Sequence, residues 1–263
     1  MINDTNNLDD LIKIINENHL EKDFMLIGSW CEYFYQEYFD NYRSQMKTTD
    51  FDFYIKNKHI SSEKINISSS FAKYGFERFD DYMTEKTVFK KDDNIVEFLT
   101  GIDRNKKDIY SIEKLGIKAE SLTRLDIFDK NHLDVEYKGM NIKIPSPAAY
   151  VIHKLIINND RKNEKSKKDL ISIKGLLLRI KQSPDDFKNL EIIYKSDIVG
   201  RKGRNKIDVI CQNNNIKLFE AYSFKEELQF RKMIEPFNDS QNVKSEENDI
   251  TKRHFKDHDD YEI

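Results

Sequence analysis

The residues with the clearest chemical potential lie between Phe24 and Leu99. In Thr48-Thr49-Asp50-Phe51-Asp52-Phe53 two acids alternate with two aromatics. On a strand, side chains at i and i+2 share a face, so Asp50 and Asp52 point one way while Phe51 and Phe53 point the other. Like charges at that range repel unless a cation lies between them, and a hard divalent ion with oxygen ligands, Mg2+ or Mn2+, answers the need. Ile95-Val96-Glu97-Phe98-Leu99 supplies a third carboxylate between apolar neighbours, able to complete a site for one or two metals. Acids grouped this way suit in-line phosphoryl or nucleotidyl transfer. Upstream, Gly28-Ser29 ends an apolar run; a glycine there lets the backbone approach a ligand, and the following helix start offers free N–H groups to phosphate oxygens. Ser29 can add a hydroxyl donor or cap the helix. Taken singly, a D-x-D pair also fits solvated acids at a strand end, and Glu97 also fits an exposed position paired with a lysine.

These residues need elements to carry them. Leu8, Leu11, Ile12 and Ile15 give an apolar stripe on a helix over 8–19. Phe24–Ile27 reads as a strand, 28–29 as a tight turn, and 30–39 as a helix whose Trp30, Tyr33, Phe34 and Tyr38 form core, with one edge free to line a nucleotide pocket. Strands are predicted at 51–55, 76–79, 87–90 and 95–99, and a helix over 60–74. Residues 102–131 show no clean period. A hairpin follows, 132–137 and 141–144 about Lys138-Gly139-Met140. Beyond Pro145-Ser146-Pro147 the pattern is helical over 148–157 and 167–180, stops at Ser183-Pro184 and restarts at Asp185. The expected class is α+β: a mixed sheet with flanking helices over 1–144, a helical domain over 145–235, and a polar, mobile tail over 236–263, the last 29 residues of the chain carrying nine acids against four Lys or Arg.

Composition narrows the function. The chain has 263 residues, 44 Lys plus Arg against 47 Asp plus Glu, and a formal charge of −3, so no global basic field suits the whole molecule to polyanions. Any polyanion needs a local patch. Arg161–Lys168 carries five Lys or Arg against one Glu, and Arg201–Lys206 carries four with no acid; each can grip an RNA backbone, and each also reads as a solvated helix surface. Two cysteines give no disulfide framework and no zinc spacing, and no apolar run approaches a membrane span, so a cytoplasmic protein without membrane partners is expected. The sequence is silent on oligomeric state. His254 and His258 stand at i, i+4 without a third ligand, and His153 is assigned no role.

The order Gly28-Ser29, then Asp50-x-Asp52 about twenty residues on, then an acid inside an apolar strand resembles the nucleotidyltransferase fold of the DNA polymerase beta superfamily. Ile144-Pro145-Ser146-Pro147-Ala148, Ile152–Ile156, Arg161 and Lys167-Lys168-Asp169-Leu170 are similar to the helical half of a bacterial family of that fold. The resemblance spans roughly residues 20 to 190. It implies that Gly28 and Ser29 hold nucleotide phosphates, that Asp50 and Asp52 bind metal, and that Glu97 is the third ligand and the base toward the acceptor hydroxyl. It also implies that Lys154 reaches toward the triphosphate; without it Lys154 reads equally as a snorkelling lysine. The superfamily pattern often has Asp at the third position, where Glu97 is one methylene longer. The implied activity moves a nucleoside monophosphate from a nucleoside triphosphate (NTP) to an acceptor hydroxyl, RNA among the candidates. Two alternatives stand beside it: an inert nucleotide- or partner-binding module on the same fold, and a metal-dependent glycosyltransferase, whose D-x-D follows a longer nucleotide-binding half than Asp50 leaves room for.

Overall fold

A computed structural model describes residues 5–39, 42–44, 48–56, 64–102, 107–161, 163–221 and 255–256. The chain divides into two units, one of Glu32–Met46 with Pro147–Arg253, the other of Ile2–Cys31, Lys47–Ser146 and His254–Ile263. The architecture is α+β, with a mixed sheet, flanking helices and C-terminal helices.

The sheet-bearing unit opens with α1 (Asn6–Glu17), whose stripe is buried as its spacing predicts. Then come β1 (Phe24–Ile27), a 3-10 turn (Gly28–Trp30) and, after the chain has passed into the other unit and back, β2 (Asp50–Ile55). After β2 stand α3 (Ile67–Lys73), β3 (Glu77–Asp80), β4 (Thr87–Lys91) and β5 (Asn94–Gly101). The helix expected over 60–74 is thus observed from Ile67, and its first residues, 60–63, lie outside the described ones. The strand expected at 76–79 is displaced by one residue, because Phe76 turns into the core while all four residues of β3 are exposed.

The stretch without a period, 102–131, contains β6 (Ile109–Ile112) and β7 (Ile117–Leu122) as an antiparallel hairpin. β6 is only four residues long, and β7 points Ala119 and Ser121 inward, so neither carries enough apolar contrast to register as a strand. The predicted hairpin is β8 (His132–Tyr137) with β9 (Met140–Pro145); Lys138 and Gly139 both adopt positive φ, 52° and 76°, the twist a two-residue turn needs. Asn16 clamps α1 to it, donating from Nδ2 to the Asn141 carbonyl (2.9 Å) and accepting the Asn141 amide (3.0 Å). Of the expected tail, only Phe255–Lys256 is described, as strand β10 antiparallel to β8; the rest, His254 and His258 included, lies outside the described residues.

Strand order is β10-β8-β9-β1-β2-β5-β4-β3, with β7 also pairing β5. β2 therefore lies between β1, antiparallel to it, and β5, parallel to it. Phe24, Phe53, Phe71, Phe89 and Phe98 form the core beneath, with Phe71 stacked on Phe89 at 4.1 Å and Phe24 edge-on to Phe98 at 6.0 Å.

In the helical unit, α4 (Pro147–Ile157) is buried from Pro147 to Ile156, and α5 (Asn163–Ile180), α6 (Pro184–Lys195) and α7 (Gly200–Asn213) pack around it. Ser183 caps α6 by accepting the Asp186 amide, with Pro184 opening the helix. The periodicity marks helices at the first three of these positions; α7 falls within the expected helical domain over 145–235, where the sequence singles out its first residues as a basic run. A fifth helix, α2 (Cys31–Tyr38), belongs to this unit from Glu32 onward although it precedes most of the sheet in the chain. Among the described residues no helix is long and apolar enough to cross a membrane.

Candidate active site

Alternation along β2 sorts its side chains by face. Phe51 and Phe53 are buried, Asp50 is exposed and Asp52 half-buried, so both acids rise from the side opposite the aromatic core. Trp30, the last residue of the 3-10 turn, stacks on Phe51 at 4.3 Å with ring planes 13° apart. That contact fixes the turn to the strand between the two acids. The Asp50 amide donates to Thr48 Oγ1 at 3.2 Å, ordering the approach to the strand.

Gly28 stands at the centre. It follows β1, whose last residue Ile27 is the register partner of Asp52, and it has φ +73°, in the left-handed region. A Cβ built on it would overlap Asp52 Oδ2 and lie 3.2 Å from Asp52 Cγ. The elbow and the carboxylate therefore touch. Gly28→Ala adds both backbone strain and this collision, and is expected to lower stability by about 1–3 kcal/mol in urea unfolding. An unchanged midpoint would show that Asp52 can swing aside.

Glu97 is the register partner of Asp52 on parallel strand β5, so the two carboxylates emerge side by side on one face. Val96 and Phe98 on either side of Glu97 are buried in the core. A residue the sequence reading did not consider, Lys86, places its ammonium 2.8 Å from Glu97 Oε1 and 3.3 Å from Glu120 Oε2. Burial works against that charge, but the two carboxylates prevail and hold the lysine above its usual range. Lys86 directly precedes β4, and its spacing from Glu97 carried no signal because the two meet only through antiparallel pairing of β4 with β5.

Asp50 and Asp52 suit a hard divalent cation by donor type: Mg2+ is commonly held by one or two carboxylates, with waters and substrate phosphates completing its shell. Among the described residues no three His, Cys, Asp or Glu side chains form a metal-binding group by themselves. Two carboxylates beside a glycine elbow are what the chain itself offers.

Lys154 is placed differently from its expected reach to a triphosphate. It is 5% exposed within the helical unit, with Nζ 2.7 Å from Asp169 Oδ1 and 4.7 Å from the Tyr150 ring centroid. Arg161 approaches the other oxygen of Asp169 at 3.2 Å. Asp169 lies on α5, facing α4, and supplies the counter-charge that an ammonium buried in a low-dielectric interior requires. His153 is buried as well. The same unit hides a group that sequence reasoning overlooked. Glu32, fully buried in α2, accepts hydroxyls from Tyr42 (2.8 Å), Ser44 (2.6 Å), Tyr150 (2.8 Å) and Ser172 (2.5 Å). An acid within the aromatic run Trp30–Phe39 was the available signal. Of the four aromatics expected in that core, Trp30 and Phe34 are buried, while Tyr33 and Tyr38 are half-exposed and Tyr38 donates to Asp186 at 3.2 Å.

A family model described as nucleotidyltransferase matches residues 7–188, over two thirds of the chain. Among solved structures the chain is similar to an antigenic nucleotidyltransferase-like protein from Paracoccidioides brasiliensis, with 14% identity over 76% of this chain and 94% of that one and a TM-score of 0.39. It is also similar to a tRNA nucleotidyltransferase complexed with a primer tRNA and an incoming ATP analogue, with 13% identity over 80% of this chain and 63% of that one and a TM-score of 0.22. No curated protein matches it.

Proposed function

The chain belongs to the nucleotidyltransferase family, and on that premise we propose that it transfers a nucleoside monophosphate from an NTP to an acceptor hydroxyl at the Gly28–Asp52 elbow. The observation that supports this most is the contact of the left-handed glycine with the Asp52 carboxylate, beside Asp50 and Glu97 on the same sheet face.

Asp50 and Asp52 would hold a divalent ion, Mg2+ or Mn2+, which when bound supplies charge neutralisation at the phosphates and electron withdrawal from the alpha phosphorus. The rest falls to the chain's own groups. Gly28, lacking a side chain, lets phosphate oxygens approach the backbone of the turn, and Ser29 adds a hydroxyl donor. Glu97 takes the proton of the acceptor hydroxyl. The acceptor oxygen then bonds to the alpha phosphorus as the bond from that phosphorus to the bridging oxygen breaks, and pyrophosphate departs with the electron pair.

RNA is the acceptor we favour. Arg161–Lys168 and Arg201–Lys206 together hold nine Lys or Arg against one Glu in 14 residues of a chain whose net charge is −3. Lys206 Nζ lies 2.8 Å from Asp160 Oδ2, which brings α7 beside the residue that precedes Arg161, so the two basic stretches adjoin. Lys165, Lys167, Lys168, Arg201, Lys202 and Lys206 are exposed there, a local field able to hold a phosphate backbone.

Incubating the protein with each radiolabelled NTP, Mg2+ and total cell RNA is expected to release pyrophosphate and label one RNA class. Pyrophosphate release without labelled RNA would move the acceptor to a protein or small molecule. A thermal shift with NTP and no pyrophosphate would instead favour the inert binding module.

A further inference from the structure

The third carboxylate of the site already has a cation. Lys86 bridges Glu97 at 2.8 Å and Glu120 at 3.3 Å, with its side chain only 19% exposed, and Glu97 adjoins Asp52 by strand register. The bridge is built by the sheet itself: β4 pairs β5 with Val88 opposite Glu97, which sets the backbone of Lys86 two residues away along the same strand line. Glu120 on β7 is held beside β5 by the pairing of Leu99 with Glu120. The ammonium is thus held between two acids, one on β5 and one on β7, the two strands being paired to each other.

A fixed ammonium acts on the site in two ways. It directs Glu97 away from an incoming cation, and it repels a second positive charge at short range. We infer that Lys86 is a positioning residue that reserves Glu97 for the acceptor hydroxyl and limits the site to one divalent ion, on Asp50 and Asp52. This rests on the nucleotidyl-transfer reading of the elbow. It differs from the sequence expectation in giving Glu97 no metal.

Mn2+ alone, titrated into the intact protein and followed by electron paramagnetic resonance of the free ion, tests it. The wild-type protein is expected to bind one Mn2+, and Glu97→Gln to bind it with unchanged affinity. Lys86→Met should tighten Mn2+ about ten-fold or add a second ion, because Glu97 is released as a ligand and one like charge is gone. Lys86→Arg should behave as wild type, and adding Glu97→Gln to Lys86→Met should cancel the gain. A Lys86→Met affinity within two-fold of wild type, or a clear loss of Mn2+ in Glu97→Gln, overturns the inference and leaves the wider reading standing; the Glu97→Gln arm holds even should Lys86→Met not fold. No Mn2+ on any of these proteins removes the metal from Asp50 and Asp52, and the inference with it.

Discussion

Replacing Asp52 by Asn is expected to lower nucleotidyl transfer by about 10³-fold or more, a loss of about 4 kcal/mol of transition-state stabilisation, without lowering the thermal midpoint. The side chain keeps its shape, so its contact with Gly28 and its place on β2 persist. What disappears is one of the two charges able to hold a divalent ion. The variant should therefore be as stable as the wild type or slightly more so, as active-site substitutions often are. Steady-state pyrophosphate release and a melting curve on the same preparation measure both quantities. Activity within ten-fold of wild type would place the chemistry elsewhere; inactivity with a collapsed midpoint would make Asp52 structural.

The parts of this site that were legible in the sequence are those set by local rules. Alternation in Asp50–Phe53 assigns the acids and the aromatics to opposite faces, and Gly28-Ser29 at the end of an apolar run fixes the turn. Both follow from the period of a strand and from the freedom of a glycine. What the sequence withheld depends on pairing between distant segments. Lys86 meets Glu97 because β4 and β5 are neighbours, and Lys154 meets Asp169 because α4 packs on α5; neither partnership leaves a mark in spacing. A lysine eleven residues before a glutamate has no reason in one dimension to be its counter-ion. The hairpin β6–β7 was missed for a different reason: short strands with Ala and Ser inward carry little apolar contrast, and their placement comes from β5, which β7 extends.

Glu32 extends that lesson to stability, and Glu32→Ala is expected to cost about 3–5 kcal/mol, a large share of the stability of an ordinary domain. Its carboxylate collects four hydroxyl donors, and Tyr42, Tyr150 and Ser172 are themselves buried. Truncation leaves those groups in a cavity with no acceptor, whereas Glu32→Gln keeps the volume and one carbonyl and should cost about half as much. Burial, and then the charge of Glu32, push the Tyr42 hydroxyl well above its ordinary value of 10.0. A phenol that resists ionisation only when folded contributes stability that is complete below pH 10 and falls as pH rises past it, so urea midpoints of the wild type should decline above pH 10. Because Glu32 is an acid four residues after Gly28, a screen of acid substitutions scored only by activity would count it with Asp52. The two separate when a stabilising osmolyte is added: it should restore transfer to Glu32→Gln, whose defect is a folding equilibrium, and leave Asp52→Asn inactive, whose defect is a missing charge. Recovery of both, or of neither, would refute this division between the acid that holds the helical unit together and the acid that meets the nucleotide.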